Sequence, residues 1–374
     1  MNSEPAQAEA ARRVMAAFKT ACQRFEPLGR GRRLMLGCSA GGDSMCLLDL
    51  AARAALEQGW KLALAHLDHR QRPESTLEAA FVSQQAAERE IPFFSEALEG
   101  DPNRRGALSE EAMRQARLDF FGRQCDRWNA DALLLAHQAD DRAETFLIRL
   151  LAGSGPRGLS AIRPVERLRG LTIVRPLVGA RRDDLRAYLR RQGRAWHDDP
   201  TNQGDATKRA WIRNTLMPMI EAYLESDPTG RIARASELIA EEAGALNDAS
   251  EHLLAELTQP GPPPATSTLD LTTRAWVDSG PALRRQLLRL WLQKLRSSPY
   301  PAGFAATEAV LDFAQKIQPG AELRTVEHIH LIHCKHRLAA YAPEVEKTER
   351  QRSAAQLTPP SHGALKRRRR QTQS

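Results

Sequence analysis

The chain has 374 residues, 42% of them hydrophobic and 27% charged, with 54 Lys and Arg against 46 Asp and Glu. That length supports two or three cored domains, and the composition excludes a collagen-like or disordered chain. No run of about 18 apolar residues occurs, so no membrane span is expected.

The first twenty residues carry Glu4, Glu9, Arg12 and Arg13 where a secretory signal has an apolar core. None of the five cysteines (Cys22, Cys38, Cys46, Cys125, Cys334) forms a C-x-x-C pair. Both points favour a reducing, cytoplasmic address over a disulfide framework, a zinc ribbon or a cysteine-held cluster. The basic balance suits a polyanionic partner. Much of it lies beyond Glu344, however, ending in Lys366 to Arg370, and a solvated tail accounts for it equally well.

In chain order, Val14, Ala17, Phe18, Ala21 and Phe25 have helical spacing, which predicts a helical lead-in over residues 1–29. Leu34 to Cys38 reads as a strand, and Met45, Leu47, Leu48 and Leu50 as a buried helix. "KLALAH" (61–66), "IPFFSE" (91–96) and "ALLLAH" (132–137) are further strands, separated by helices over 77–89 and 109–128 and followed by one through Ile148. Short apolar strands alternating with helices predict an α/β fold with a doubly wound parallel sheet over 30–220. A smaller, mainly helical domain is expected over 221–343, with helices at 231–257, 282–296 and 304–317 and short strands around Ile329 to Ile332. From 344 onward a disordered basic tail is expected. There is no internal repeat.

Ligands of such sheets sit beyond the carboxyl ends of the strands, where the unusual polar residues cluster. Ser39, Ala40, Gly41, Gly42, Asp43 and Ser44 join the first strand to a helix. Backbone amides there can converge on an anion, although a plain tight turn has the same pattern. No Lys follows, so this is not the G-x-x-x-x-G-K-[ST] loop. "HLDHRQRPES" carries His66, His69, Arg70 and Arg72, a polar rim suited to nucleotide or RNA phosphates or simply a charged loop. His137 is followed by Asp140 and Asp141, two adjacent carboxylates that are costly without cations nearby. Asp141 and Glu144 alternatively have the spacing of a helix cap and its return partner. Last come "HDDPTN" and "KRAWIRNTLMP", the latter with Lys208, Arg209 and Arg213.

In this order the segments resemble the tRNA(Ile)-lysidine synthases of the PP-loop ATP pyrophosphatase group. The S-G-G-x-D-S signature is matched by Ser39, Gly41, Asp43 and Ser44, and H-x-x-H-x-x-R by His66, His69 and Arg72. Glu110, Arg114 and Arg117 match E-x-x-x-R-x-x-R, and His137, Asp140, Asp141, Glu144 and Thr145 complete H-x-x-D-D-x-x-E-T. "RPL" at 175–177, Asp199 to Asn202, and Arg209, Ile212 and Arg213 follow. The resemblance covers roughly residues 30–220. Ala40 stands where the pattern has glycine, Leu118 where Tyr is customary and Ala210 where Asn is usual. If residue 40 adopts positive φ, its methyl costs on the order of 1 kcal/mol; at negative φ it costs nothing.

The resemblance implies a PP-loop, adenine-nucleotide-hydrolase-like fold and an ATP-dependent ligase. It would join free L-lysine to C2 of the wobble cytidine in the CAU anticodon of tRNA(Ile), through an adenylated cytidine. Ser39 to Ser44 would hold pyrophosphate, with His66 beside the adenosine. Asp43, His137, Asp140, Asp141 and Glu144 would be catalytic, Asp43 and Asp141 holding Mg2+ and Asp141 or Glu144 serving as base. Arg72, Arg114, Arg117, Arg209 and Arg213 would contact RNA. A PP-loop enzyme that thiolates a tRNA base is an alternative, disfavoured by the lack of paired cysteines; a non-catalytic tRNA-binding relative is another. Oligomeric state is not legible.

Overall fold

The computed structural model describes residues 4–68, 75–98, 110–160, 162–197, 207–261, 263–296, 302–316, 319–324, 329–342 and 347–357. These form two compact units, divided at Ala243/Gly244.

In the first unit, α1 (Glu4–Arg24) precedes β1 (Arg33–Gly37), α2 (Gly42–Gln58), β2 (Lys61–Asp68), α3 (Ser75–Ala87) and β3 (Phe93–Ala97). Then come α4 (Glu110–Trp128), β4 (Ala132–Leu134), α5 (Ala139–Leu151), α6 (Pro156–Leu159), β5 (Val165–Leu168), β6 (Leu171–Val174) and α7 (Arg182–Arg191). The sheet order is β3-β2-β1-β4-β6-β5, parallel except for β5 against β6. Alternation along the strands explains the two covered faces. Leu34, Leu36, Leu62 and Leu64 face a core shared with α1, α2 and α7, whereas Met35, Ala63, Ala65 and Leu133 face Phe120, Phe121 and Cys125 of α4.

Chain order reverses at β1, because β2 and β3 lie on one side of it and β4 on the other. Such a switch point separates the loops after neighbouring strands and opens a crevice at their carboxyl ends. The loops after β1, β2 and β4 are the three singled out by sequence. The parallel, doubly wound sheet is the expected one.

Beyond α7, α8 (Lys208–Trp211) runs into a π-helical turn, Ile212–Leu216, and then α9 (Met217–Leu224). The unit boundary falls inside α10 (Pro228–Leu257) rather than near 220, since thirty helical residues run on without a break there. The second unit has the expected helices, α12 (Pro281–Leu295) and α13 (Phe304–Gln315), after the short α11 (Arg274–Val277). It also has a five-stranded antiparallel sheet, β7-β8-β11-β10-β9, from Thr258–Pro260, Ala265–Asp270, Arg337–Tyr341, His330–Cys334 and Glu322–Arg324. Part of the expected disordered tail is instead a helix, α14 (Lys347–Leu357). Its Arg350, Ser353 and Ala354 are buried, and Arg350 reaches Glu322 at 2.9 Å. The stretch beyond it lies outside the described residues.

Two local features set the β1–α2 junction. Ala40 has φ +61° and is fully buried, so the positive-φ alternative holds and its methyl is strained. Deeper in α2, buried Asp49 accepts hydrogen bonds from Tyr188 Oη (2.7 Å) and Arg194 Nε (2.8 Å) and pairs with Arg53 (2.9 Å). That network ties α2 to α7 and to the segment after it.

Two stability predictions follow from this junction. Asp49→Ala should lower the unfolding free energy by about 2–4 kcal/mol, and Tyr188→Phe by about 1 kcal/mol, in urea titrations. Ala40→Gly should cost under about 0.5 kcal/mol, because released strain offsets the lost methyl. The same change at fully buried Ala51, inside α2, should cost about 2 kcal/mol; equal losses at the two sites would mean that Ala40 is unstrained.

Candidate active site

Between β1 and α2 the chain turns within Cys38 to Gly41. Ser44, 6% exposed, organises the turn: its Oγ donates to Gly41 O (2.9 Å) and accepts from Ser39 N (3.2 Å). No side chain caps the N-terminus of α2. Its first-turn amides and the positive end of its dipole are therefore left for an anion. Ser39, Asp43 and Ser44 line a cavity of about 280 Å³ together with His66, Asp68, Arg117, His137 and Asp141, over an apolar floor of Leu67, Phe121 and Leu135. Gly37 is needed beneath it, because a Cβ there would come within 2.8 Å of Leu135 and Phe121.

Two histidines face this cavity in opposite tautomers. His66 Nδ1 lies 2.9 Å from Cys38 O, which can only accept, so Nδ1 carries the proton and Nε2 is bare. His137 Nδ1 lies 3.2 Å from Arg175 Nε, which can only donate, so here Nε2 carries the proton. Burial, with Arg175, Arg117, Arg209 and Arg114 nearby, holds His137 neutral by lowering its pKa well below the usual value. Arg175, from the "RPL" stretch, is itself fixed by Glu166 (2.9 Å) and Arg163 O (2.8 Å).

The carboxylates of α5 separate into different tasks. Gln138 is the helix cap: its Oε1 accepts from Asp140 N (2.6 Å), while Asp141 Oδ2 accepts from Gln138 N (3.2 Å). The expected Asp141–Glu144 cap is thus shifted by three residues, with Asp141 as the return partner. Asp140 turns away from the cavity to the start of α7, accepting from Arg182 N (2.9 Å) and Arg181 (3.2 Å). Glu144, 2% exposed, is held by Arg213 (2.7 Å), Arg209 (3.2 Å) and Arg182 (3.3 Å). It does not line the cavity, and guanidinium groups occupy its oxygens. Arg209 also donates to Thr145 Oγ1 (2.8 Å).

Of the acids expected to be catalytic, Asp141 and Asp43 line the cavity, beside Asp68 and Glu78. Burial and the neighbouring charge of Asp141 push the Asp43 carboxyl up to about 6, against the pull of Arg182 and Arg186. Asp141 is also raised, chiefly by burial and in part by Glu144. Burial, with Arg114 and Arg209 adding like charge, lowers Arg117. The cavity therefore brings together carboxylates of raised proton affinity and crowded cations.

Sequence reasoning missed Arg182 and Trp196, and named His197 only within "HDDPTN", without a role. Arg182 lies 3.2 Å from Asp141, 3.3 Å from Glu144 and 4.0 Å from Asp43. In sequence it is one of four charged residues in "RRDD" and reads as a solvated helix start. Trp196 packs where a Cβ on Gly42 would meet its indole at 3.3 Å, and His197 N donates to Ala40 O (3.0 Å). An aromatic residue ahead of the turn-forming "HDDP" was the available signal. Among the expected site residues, Arg72, and with it His69 and Asp199 to Asn202, lies outside the described residues.

A family model described as the PP-loop domain matches residues 9–220. The tRNA(Ile)-lysidine synthase of Thermus thermophilus is 36% identical over 294 residues, 78% of this chain and 54% of that protein. The enzyme of the same name from Symbiobacterium thermophilum is 33% identical over 302 residues, 77% of this chain and 61% of that protein. The chain therefore spans little more than half the length of these relatives. Among solved structures, the U34-tRNA thiolase NcsA from Methanococcus maripaludis aligns with a TM-score of 0.54 at 13% identity, covering 63% of this chain and 80% of that one. At that identity the likeness is one of fold. With more than half of its residues matched by the family model, and with an amide-lined turn at the switch point of its sheet, this chain belongs to the PP-loop family.

Proposed function

We propose that the protein is an ATP-dependent ligase that attaches lysine to C2 of the wobble cytidine of a tRNA(Ile) with a CAU anticodon. The observation that carries this reading is the meeting of an uncapped helix N-terminus and two underneutralised carboxylates in one cavity. Similarity to lysidine synthases over more than three quarters of the chain supports the choice of substrates.

Cytidine O2 attacks the α-phosphate of ATP and pyrophosphate departs. The turn amides, with Ser39 and Ser44, hold that leaving group and stabilise charge where it grows. The lysine ε-ammonium must then lose a proton before it attacks C2 and expels AMP. Asp141 suits that task better than Glu144, since it faces the cavity and burial raises its proton affinity. His137, neutral and with its Nε2 protonated, is placed to donate to an oxygen of the nucleotide or the base. Arg114 and Arg117, crowded among like charges, suit an RNA phosphate. Arg209 and Arg213 are engaged with Glu144, so their contribution to RNA binding runs through the shape of α8 and the π-helical turn.

The donor set also fits a magnesium ion. Asp43 and Asp141 are hard oxygen donors that repel each other in the cavity, and Mg2+ is commonly held by one or two carboxylates plus substrate phosphates. When bound, it supplies positive charge to the phosphate oxygens. Arg182 does part of that neutralisation from the protein side.

The direct test uses the protein with ATP, radiolabelled lysine and tRNA(Ile) bearing CAU. Label should enter the tRNA, with pyrophosphate release requiring the tRNA and AMP release requiring both tRNA and lysine; AMP release without lysine incorporation would overturn the assignment. Asp141→Asn should lower AMP formation about 10²–10⁴-fold while changing tRNA affinity less than about threefold. Asp43 gives a pH signature. Its folded pKa of about 6 exceeds its ordinary value of 3.8, so the folded state binds the proton more tightly. The group's contribution is complete below pH about 4 and is lost as pH rises through 6. Asp43→Asn should therefore stabilise the protein by about 1–2 kcal/mol at pH 8, allowing for the 29% exposure of the side chain. Thermal unfolding across pH should show the gain vanishing near pH 4; a gain independent of pH would contradict the raised carboxyl.

A further inference from the structure

Helix α7 starts with two cations where its dipole favours anions. Arg181, just ahead of it, and Arg182, its first residue, are therefore placed by acids rather than by the helix. Arg181 meets Asp140 at 3.2 Å and also pairs with Asp227. Arg182 turns into the candidate active site. Its Nη2 lies 3.2 Å from Asp141 Oδ1 and 3.3 Å from Glu144 Oε1, and its Nε lies 4.0 Å from Asp43 Oδ2. Glu144 does not depend on it, because Arg213 holds both oxygens, at 2.7 and 3.0 Å, and Arg209 reaches one at 3.2 Å. The charge of Arg182 is thus left to Asp141 and Asp43, which line the cavity. One guanidinium serves two acids, at distances beyond the roughly 2.7–2.9 Å of a tight charge-assisted bond. A stretched ion pair of this kind yields to a stronger cation, and carboxylate oxygens are hard donors that suit a small divalent ion. The two cations compete for one place, since an ion between Asp43 and Asp141 meets the guanidinium that bridges them.

Resting on the metal-assisted reading above, we infer that Arg182 is a positioning residue for the metal: it bridges Asp43 and Asp141 as an internal counter-ion until a divalent ion displaces it. The displaced guanidinium turns to the phosphates that arrive with the ion, where its planar fork suits two oxygens. The bare protein consequently holds the ion weakly, and ion and nucleotide enter together.

The test measures Mn2+ binding to the full chain at pH 8 without nucleotide, by electron paramagnetic resonance, and thermal unfolding with and without Mg2+. Arg182→Gln should bind Mn2+ about tenfold more tightly than the unaltered protein, because the competitor is gone. Arg181→Gln removes the same charge one residue away and should stay within about threefold, since Arg181 bonds Asp140 and Asp227 instead. Adding Asp43→Asn to Arg182→Gln should undo the gain. Mg2+ should raise the unfolding midpoint of Arg182→Gln by about 4 °C and that of the unaltered protein by under about 1 °C. Equal Mn2+ affinity in Arg182→Gln and the unaltered protein overturns the inference, and so does an equal gain in Arg181→Gln, which would reflect bulk charge alone. Stabilisation of Arg182→Gln by L-lysine but not by Mg2+ also overturns it, marking the place as an ammonium site. Should Arg182→Gln unfold in plain buffer, Mg2+ should restore its fold, and failure to do so counts against the inference. An unaltered protein that binds no Mn2+ even with an ATP analogue uncleavable between its α- and β-phosphates brings down the metal reading as well. Mn2+ bound with the analogue but equally by both proteins without it brings down only the role of Arg182.

Discussion

Burying carboxylates at the start of α5 is the constraint on which the first unit's architecture depends. Glu144 is almost wholly removed from water, and a buried carboxylate without partners costs several kcal/mol. Its partners come from far along the chain: Arg182 opens α7, while Arg209 and Arg213 lie on α8 and the π-helical turn. The turn is instructive. Arg209 and Arg213, four residues apart across its start, share one helix face, and both side chains reach one carboxylate. Asp140 does the same for the α7 N-terminus, where its charge also complements the helix dipole. A local acid-rich sequence thereby pins two remote segments to the carboxyl end of the sheet.

The turn after β1 is held by similar long-range means. A strained residue persists only where its surroundings over-determine it. At Ala40 those surroundings are the Ser44 hydroxyl within the turn, the amide of His197 on the Ala40 carbonyl, and the Trp196 indole against Gly42. Arg194, bonded to buried Asp49, anchors the segment that delivers Trp196 and His197. A Cβ at position 42, the variable place of the signature, would crowd the Trp196 indole at 3.3 Å, so glycine there eases the close approach. The amides that face the cavity are aimed by contacts that never touch it.

Much of this was legible in the sequence, for identifiable reasons. Continuous apolar strands such as "LMLGC" and "KLALAH" are characteristic of a sheet covered on both faces, and the switch-point rule then located the cavity. Ser39, Asp43, Ser44, His66, His137 and Asp141 line it together. What sequence could not decide was direction. Asp140 and Asp141 are adjacent and chemically identical, yet 100° of helix rotation sends one to α7 and the other to the cavity. Arg182 was invisible because a charged helix start reads the same whether it meets solvent or a buried acid. In the second unit, β7 and β8 come from "TQP" and "ATSTLD", with too few large apolar residues to show a period of two. α14 was hidden because its composition is polar; it is held by Arg350 meeting Glu322 and by Ala354 and Leu357 packing on Ile332, Cys334 and Tyr341, too few apolar residues to show a helical period.

For the proposed activity, the electrostatic layout bears on how one cavity would serve two successive reactions. Transfer to the α-phosphate generates negative charge on a leaving pyrophosphate, which calls for donors already in place. Attack by an amine calls instead for a site that removes a proton and tolerates an incoming cation. A uniformly basic pocket would do the first and repel the amine; a uniformly acidic one would do the reverse. Here backbone amides provide the donors, adding no net charge, so carboxylates can stand within the same cavity without being neutralised by the phosphate-binding machinery. A lysine side chain in the turn, as in the more familiar phosphate loop, would pair with Asp43 and Asp141 and lower their proton affinity. Its absence between Ser39 and Ser44 leaves Asp141 able to accept a proton.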